Sequence, residues 1–472
     1  MSATVTISAP LLTLVSHICV GCGTLACIAP EKLIDVSRWV KCALIVVSGM
    51  IISTLLLLLL LLASFPFDVR VIYACGCVGA LLTALKIRTF HRHFFHGSTT
   101  EAVIPVLRVF VFVGVAALFL WVVVAALCLP SVDYDSIAIW GYRVRVLIEE
   151  KTLYTDSLRD PFRIAPMPKH PYFIPVLEAS FCGNADFSYW ACHLPHVLFY
   201  IAYLSLCVGA AREWFHGSMR WLALSALVVM PAPAVQWWLE GAREPAIGVL
   251  AVWNTYWFIR WLRKPTFLEV CLVAIGCAAM YHVKVEGAVL AGGWALAMVC
   301  SCISWGEARR ARIHQTAFLL LIVGAVAVPW LVSKSLIPPS TQDYDFTEGF
   351  ASGWGRRVNL IFPVLWMAVS EIILRPELYG LSPHLALGLL LVSFRSISAR
   401  KLFLVLLPLG LCLCGIVAIY IVRQEQLGPS RNATFSRRFI CVVPACVLAS
   451  CWGVSQASRH QRFHVTTRET SL

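Results

Sequence analysis

Apolar stretches of about twenty residues recur from one end of this 472-residue chain to the other. Few folds accommodate that pattern. Twenty residues of α-helix are about 30 Å long, the thickness of the hydrocarbon core of a bilayer. In that medium a backbone amide has no water to bond, so only helices and closed barrels cross it. A barrel would show alternating segments of about ten residues, which the unbroken leucine run 55–62 does not allow. Charged residues are 13% of the chain, about half the share usual in soluble domains. The sequence therefore reads as an all-α polytopic membrane protein.

The candidate spans are 9–29, 40–64, 70–87, 103–129, 195–211, 219–238, 245–262, 266–282, 286–303, 315–335, 379–395, 402–421 and 438–455. The first 20 residues lack a basic region ahead of the apolar one, so 9–29 is expected as a retained span and not a cleaved signal. Lysine and arginine in short loops set the orientation. Lys32, Arg38 and Lys41, then Lys86, Arg88 and Arg92, mark two loops on the inside. Arg212 and Arg220, Arg260 with Arg263 and Lys264, and Arg309, Arg310 and Arg312 fall on the same side if each span crosses once. The long loop 130–194, the turn 239–244, Lys284 and the loop 336–357 then lie outside. A further apolar segment, 358–374, breaks this order if it crosses. Placed on the outer surface or as a re-entrant piece, it returns the basic loop 395–401 and the basic tail to the inside. The expectation is about thirteen spans, N-terminus out and C-terminus in. Residues 1–102 form an N-terminal extension of about three spans, 103–455 the main transmembrane module with its outer loop 130–194, and 456–472 a basic cytoplasmic tail.

The net charge of +13 sits in those inside loops, as the positive-inside rule requires, and not in a patch suited to nucleic acid. Most of the nineteen cysteines fall within spans, where a free thiol behaves as a small apolar group. Cys75-Gly76-Cys77 and Cys412-Leu413-Cys414 lack metal or redox spacing. Cys182 and Cys192, in the long loop, are the pair that could form a disulfide on an oxidising face.

The long loop is the main polar island. Asp133 and Asp135 open it directly after a span. Behind them Ile137, Trp140, Val144 and Ile148 fall on one helical stripe, with Arg143, Arg145, Glu149 and Glu150 off it. This predicts an amphipathic helix on the membrane surface, with the carboxylates at its N-terminus. His170 and Tyr172 lie between Pro171 and Pro175 or beside them, in a stiffened turn. The expected topology gathers further polar groups on the same face: Glu178; Glu240, Arg243 and Glu244; Lys284 and Glu286; and Thr434, Ser436, Arg437 and Arg438. Carboxylates at a membrane surface can act as general base toward a hydroxyl. Lysine, arginine and histidine at the same level can hold a phosphate and stabilise it as it leaves. Glycosyl transfer from a polyprenyl-phosphate sugar uses both, together with an apolar wall for the lipid.

At these residues the chain resembles the membrane-embedded GT-C glycosyltransferases, in particular the branch of protein mannosyltransferases and lipid A aminoarabinose transferases. Asp135-Ser136-Ile137-Ala138-Ile139-Trp140 with Arg143 and Arg145 resembles the family's Asp-x-x-Ala-x-Trp-x-x-Lys-x-Lys. His170-Pro171-Tyr172-Phe173-Ile174-Pro175 is similar to its His-Pro-x-Tyr-Pro block, with Phe173 in place of proline. Lys284-Val285-Glu286-Gly287 resembles Lys-Asn-Glu-Gly, with Val285 for asparagine. Thr434-Phe435-Ser436-Arg437 is similar to the Ser-x-x-Arg that opens the last span, and Gly241-Ala242-Arg243-Glu244-Pro245 is a weaker match to Tyr-Ala-Asp-x-Pro.

The resemblance implies a GT-C-like bundle and an inverting transfer from a polyprenyl-phosphate sugar to a lipid, glycan or protein hydroxyl. It would take place on the outer face of a bacterial cytoplasmic membrane. Asp135 would be the general base, with Asp133 beside it as helix cap, second base candidate or metal-associated carboxylate. Lys284, His170, Tyr172, Arg437 and Arg438 would bind the donor phosphate, with Glu286 orienting Lys284. Arg143, Arg243 and Glu244 would support the acceptor. No cofactor is required; a divalent metal, where one is used, would sit on Asp133, Asp135 and Glu244.

Plainer readings stand beside these. Asp135 is also a favourable helix cap, Lys284 and Glu286 a structural ion pair, and Arg437 an interfacial anchor. Trp140 fits an interfacial aromatic belt. A transporter or flippase would show an inverted repeat and mid-span carboxylates. The sequence has no such repeat, and Glu269 lies near the inner end of its span. A glycan ligase or polymerase of another membrane fold would also use outer-face arginine and histidine.

Overall fold

The computed structural model describes residues 3–28, 30–95, 105–128, 139–159, 171–184, 187–229, 243–303, 309–336, 358–393, 398–422 and 437–469. Among them the regular elements are helices, joined by short turns, and there is no strand. In chain order the longer elements begin with α1 Ala3–Cys27, α2 Arg38–Leu62, α3 Arg70–Leu85, α4 Ile87–Phe95 and α5 Pro105–Cys128. The polar loop contributes α6 Tyr142–Glu150, α7 Asp156–Arg159 and α8 Phe173–Cys182. Then come α9 Tyr189–Trp214, α10 Gly217–Leu224, α11 Glu244–Arg263, α12 Phe267–Tyr281, α13 Val285–Cys302 and α14 Arg309–Ser335. The last are α15 Ile361–Val369, α16 Pro376–Tyr379, α17 Ser382–Ser393, α18 Ala399–Val422 and α19 Val443–Glu469.

Eight helices among the described residues are long and apolar enough to cross a membrane, which makes this an integral membrane protein. The thirteen expected segments include others that are apolar but short, such as α3, α12 and α17. Fifteen helical residues reach only about 23 Å, less than a bilayer core. α11 has the length, but Trp253, Tyr256, Trp257 and Trp261 take the place of aliphatic residues. Every residue from Glu244 through Ile259 is buried, so α11 is the axial strut of the bundle, enclosed by α12, α9 and α19. α5 is its converse: Val106, Val109, Phe110, Phe112 and Leu120 are exposed apolar side chains that suit contact with lipid.

The ends of the bundle differ in kind. At one end the backbone N–H of Ser37 donates to Glu213 (2.7 Å), and Tyr256 Oη donates to the same carboxylate. Arg260 lies 3.5 Å from Glu213 and 3.9 Å from Glu269, and Trp261 donates to Gln315 (2.7 Å). The Arg312 guanidinium stacks over the Trp261 ring. The predicted inside loops therefore do meet at one end. The other end holds the predicted outside loops. Phe67 N–H donates to the Lys151 carbonyl (2.6 Å), and Tyr154 Oη to the Leu62 carbonyl (2.6 Å). Asp68 accepts from Asn184, and Phe173 N–H donates to the His282 carbonyl (3.1 Å). Glu244 and Arg260, sixteen residues apart on α11, hold the two ends about 24 Å from each other.

The segment 358–374 forms a 3-10 turn (Val358–Leu360), α15 and a π turn (Ser370–Leu374). Trp330, near the C-terminus of α14, meets Tyr172, while Tyr379, beyond the segment, is buried against Ile440 and Cys441. Both flanks thus lie at the Glu244 end. α18 runs antiparallel to α13, because Pro408 packs on Gly293 and Cys412 Sγ reaches the Glu286 carbonyl. The start of α18, which carries Arg400 and Lys401, is thereby at the opposite end.

Candidate functional site

The site is built where α11, α13 and the turn before α19 begin. Pro245 fits the first turn of α11 because its missing N–H has no helical partner there to lose, and Glu244 heads the helix. Lys284 is in extended backbone between α12 and α13 (φ −166°, ψ 171°), which swings its side chain across to α11. Arg438 precedes a 3-10 turn, Phe439–Cys441, that lies on α11 at Gly248, one helical turn after Glu244. A Cβ at Gly248 would stand 2.6 Å from the Ile440 carbonyl oxygen, so this close approach requires glycine.

Three chain segments thereby deliver one buried charged cluster. Lys284 Nζ donates to Glu244 Oε1 at 2.6 Å, and Arg437 Nε lies 3.5 Å from the same oxygen. Arg438 Nη1 lies 3.2 Å from Glu286 Oε1. None of these side chains is more than a tenth exposed. The sequence expectation that Glu286 orients Lys284 is corrected here: the direct partner is Glu244, and Glu286 serves Arg438. Lys284 and Glu286 are two residues apart at a helix start, a spacing that turns side chains away from each other. Burial alone would lower the Lys284 pKa. The Glu244 and Glu286 carboxylates outweigh it and hold the ammonium above its ordinary value.

A second buried cluster adjoins the first through the peptide bond between Arg243 and Glu244. Arg243 Nη1 and Nη2 reach the two oxygens of Glu178 at 2.7 Å each, and His196 Nε2 lies 2.9 Å from Glu178 Oε1. The Arg243 guanidinium also sits 5.1 Å from the centre of the Trp140 ring. Arg143 lies 5.3 Å from the same ring and 4.9 Å from that of Tyr172, which meets Trp330 edge-on. Arg143 was expected on the polar side of the surface helix; it is 1% exposed, covered by Trp140 and Tyr172. Trp140, expected at the interface, is an aromatic wall between two guanidiniums. Arg243 and Glu244, at the end of a turn that the basic loops place outside, are buried.

Of the sequence candidates, Tyr172, Arg143, Arg243, Glu244, Lys284, Glu286, Arg437 and Arg438 are at this end of the bundle. Asp133, Asp135 and His170 lie outside the described residues, as do Thr434 and Ser436. Among the described residues no group of three or more His, Cys, Asp or Glu side chains is arranged to hold a metal; two of the three residues proposed for one, Asp133 and Asp135, are not among them. Sequence reasoning missed His196 and the pairing role of Glu178. The available signal was an imidazole inside an otherwise apolar span, which in that setting needs a polar partner. Chemically, the two clusters supply buried ammonium and guanidinium groups held by carboxylates, with an aromatic face beside them, an arrangement suited to an anionic ligand. No protein-family model, curated protein or solved structure matches the chain.

Proposed function

We propose that this chain is an inverting glycosyltransferase that moves a sugar from a polyprenyl-phosphate donor to a lipid, glycan or protein hydroxyl. It works at the outer face of a bacterial cytoplasmic membrane, on a GT-C-like bundle of about thirteen spans. The observation that carries this reading is the meeting of Lys284 and Arg437 on Glu244, with Arg438 on Glu286 beside them. Three motifs far apart in the sequence converge at one bundle end, away from the arginine-rich loops.

In this reading Lys284 and Arg437 neutralise the phosphate of the donor as the glycosidic bond breaks, where charge on the leaving oxygen grows. Glu244 positions both cations, and Arg438, tied to Glu286, adds a further guanidinium beside them. His170 and Tyr172 complete the donor contacts. Asp135 takes the proton of the acceptor hydroxyl, and Asp133 stands by it. Arg143 and Arg243, spaced by Trp140, form the support under the acceptor stretch; Trp140 follows Asp135 by five residues in the chain.

The test is transfer from radiolabelled polyprenyl-phosphate sugars by the full chain in lipid nanodiscs. Asp135→Asn and Lys284→Ala are expected to lower the rate about 10²–10³-fold while the protein stays inserted and folded. Full transfer by both inserted variants would overturn the proposal.

A further inference from the structure

We propose that Cys182 and Cys192 are joined by a disulfide that staples α8 to α9 beside the Glu178–His196–Arg243 cluster. The two sulfurs are 3.4 Å apart and both side chains are buried. Cys182 closes α8 and Cys192 lies in the first turn of α9, ten positions on. Each cysteine is four residues from a member of the cluster. Glu178 precedes Cys182 by one helical turn, and His196 follows Cys192 by one. The sulfur contact and the 2.9 Å contact between Glu178 and His196 are therefore neighbouring rungs between the same two helices. A covalent rung here limits how far Glu178 can move from His196, and so holds in place the two side chains that meet Arg243.

The two thiols lose two protons and two electrons as the S–S bond forms. The acceptor is the disulfide of a thiol–disulfide oxidoreductase, whose own S–S bond breaks to give two thiols. Because both sulfurs end up buried, the exchange takes place while the chain is being folded, before α8 closes onto α9. The inference shares one premise with the proposed function: that this end of the bundle faces the oxidising side of the membrane, opposite the basic loops.

The full chain, purified without reductant and digested with chymotrypsin, tests it. The protease cuts after Phe187, Tyr189 and Trp190, between the two cysteines. Mass spectrometry is expected to find the Cys182 and Cys192 peptides linked before reduction and separate after it. Amide exchange across α8 and the first turns of α9 is expected to become roughly tenfold faster on reduction, and to ignore reductant in a Cys182→Ser/Cys192→Ser variant. Separate peptides in the unreduced protein would overturn the inference, as would linked peptides with exchange indifferent to reduction. No step reads glycosyl transfer. Unlinked peptides alongside a transfer-deficient Lys284→Ala variant would sink the staple alone, and linked peptides with transfer-competent variants would sink the enzyme alone.

Discussion

The Lys284 ammonium lies 2.6 Å from the Glu244 carboxylate, forty positions away in the chain and buried with it. A buried pair of this kind tolerates the loss of one partner badly, because the survivor keeps its charge without compensation. Glu244→Gln is therefore expected to destabilise the protein by about 3–5 kcal/mol, since Lys284 and Arg437 both lose their carboxylate. Thermal unfolding in detergent measures it. The combination with Lys284→Met should cost clearly less than the two single changes added together.

The same pair fixes a pH dependence. Lys284 lies in the turn between α12 and α13, and its pKa in the folded protein is raised. A raised pKa on a cation means that its stabilisation is fully present below the unfolded value, about 10.4, and is lost as pH rises through the folded value. The Tm difference between the wild type and Lys284→Met should accordingly be flat from neutral pH to about pH 10 and shrink above it. A difference that shrinks between pH 6 and 9 would mean that Lys284 does not hold its charge there.

Gly248→Ala separates position from charge, because it removes no ionisable group. Its methyl would stand 2.6 Å from the Ile440 carbonyl oxygen and push the 437–441 turn off α11. The expected cost is about 1–3 kcal/mol, as for other overpacked sites. Transfer should fall more steeply than stability, since Arg437 and Arg438 ride on that turn. Rate and Tm on one preparation decide this.

Trp140 lies between the Arg143 and Arg243 guanidiniums, and each contact of this type is worth about 0.5–2 kcal/mol. Trp140→Ala is expected to destabilise the chain by about 3–5 kcal/mol, while Trp140→Phe keeps a ring and should cost far less. Equal effects of the two would mean that the ring face contributes nothing.

Local pattern made much of this legible. The apolar runs announce helices, and arginine and lysine in the short loops sort their ends, as the Ser37–Glu213–Arg260 contacts bear out. The polar residues named for one face do include the cluster around Glu244. Pairing across space was not legible. Nothing in the spacing of Lys284-Val285-Glu286 says that the lysine turns instead to a carboxylate forty residues earlier. Nor does a helical stripe show that Arg143 is roofed by Tyr172 as well as by Trp140, since Tyr172 comes from outside its own helix. His196 gave a signal in itself, an imidazole in an apolar span, but its partner did not: only the fold of α8 against α9 brings Glu178 to it.

α11 is pinned twice, by Glu244 to Lys284 and Arg437 at its head and by Arg260 to Glu213 and Glu269 near its foot. A piston stroke of a single turn, about 5.4 Å, would tear both sets of contacts at once. The bundle thus has a fixed axle, and its two polar ends are coupled like the flanges of one spindle.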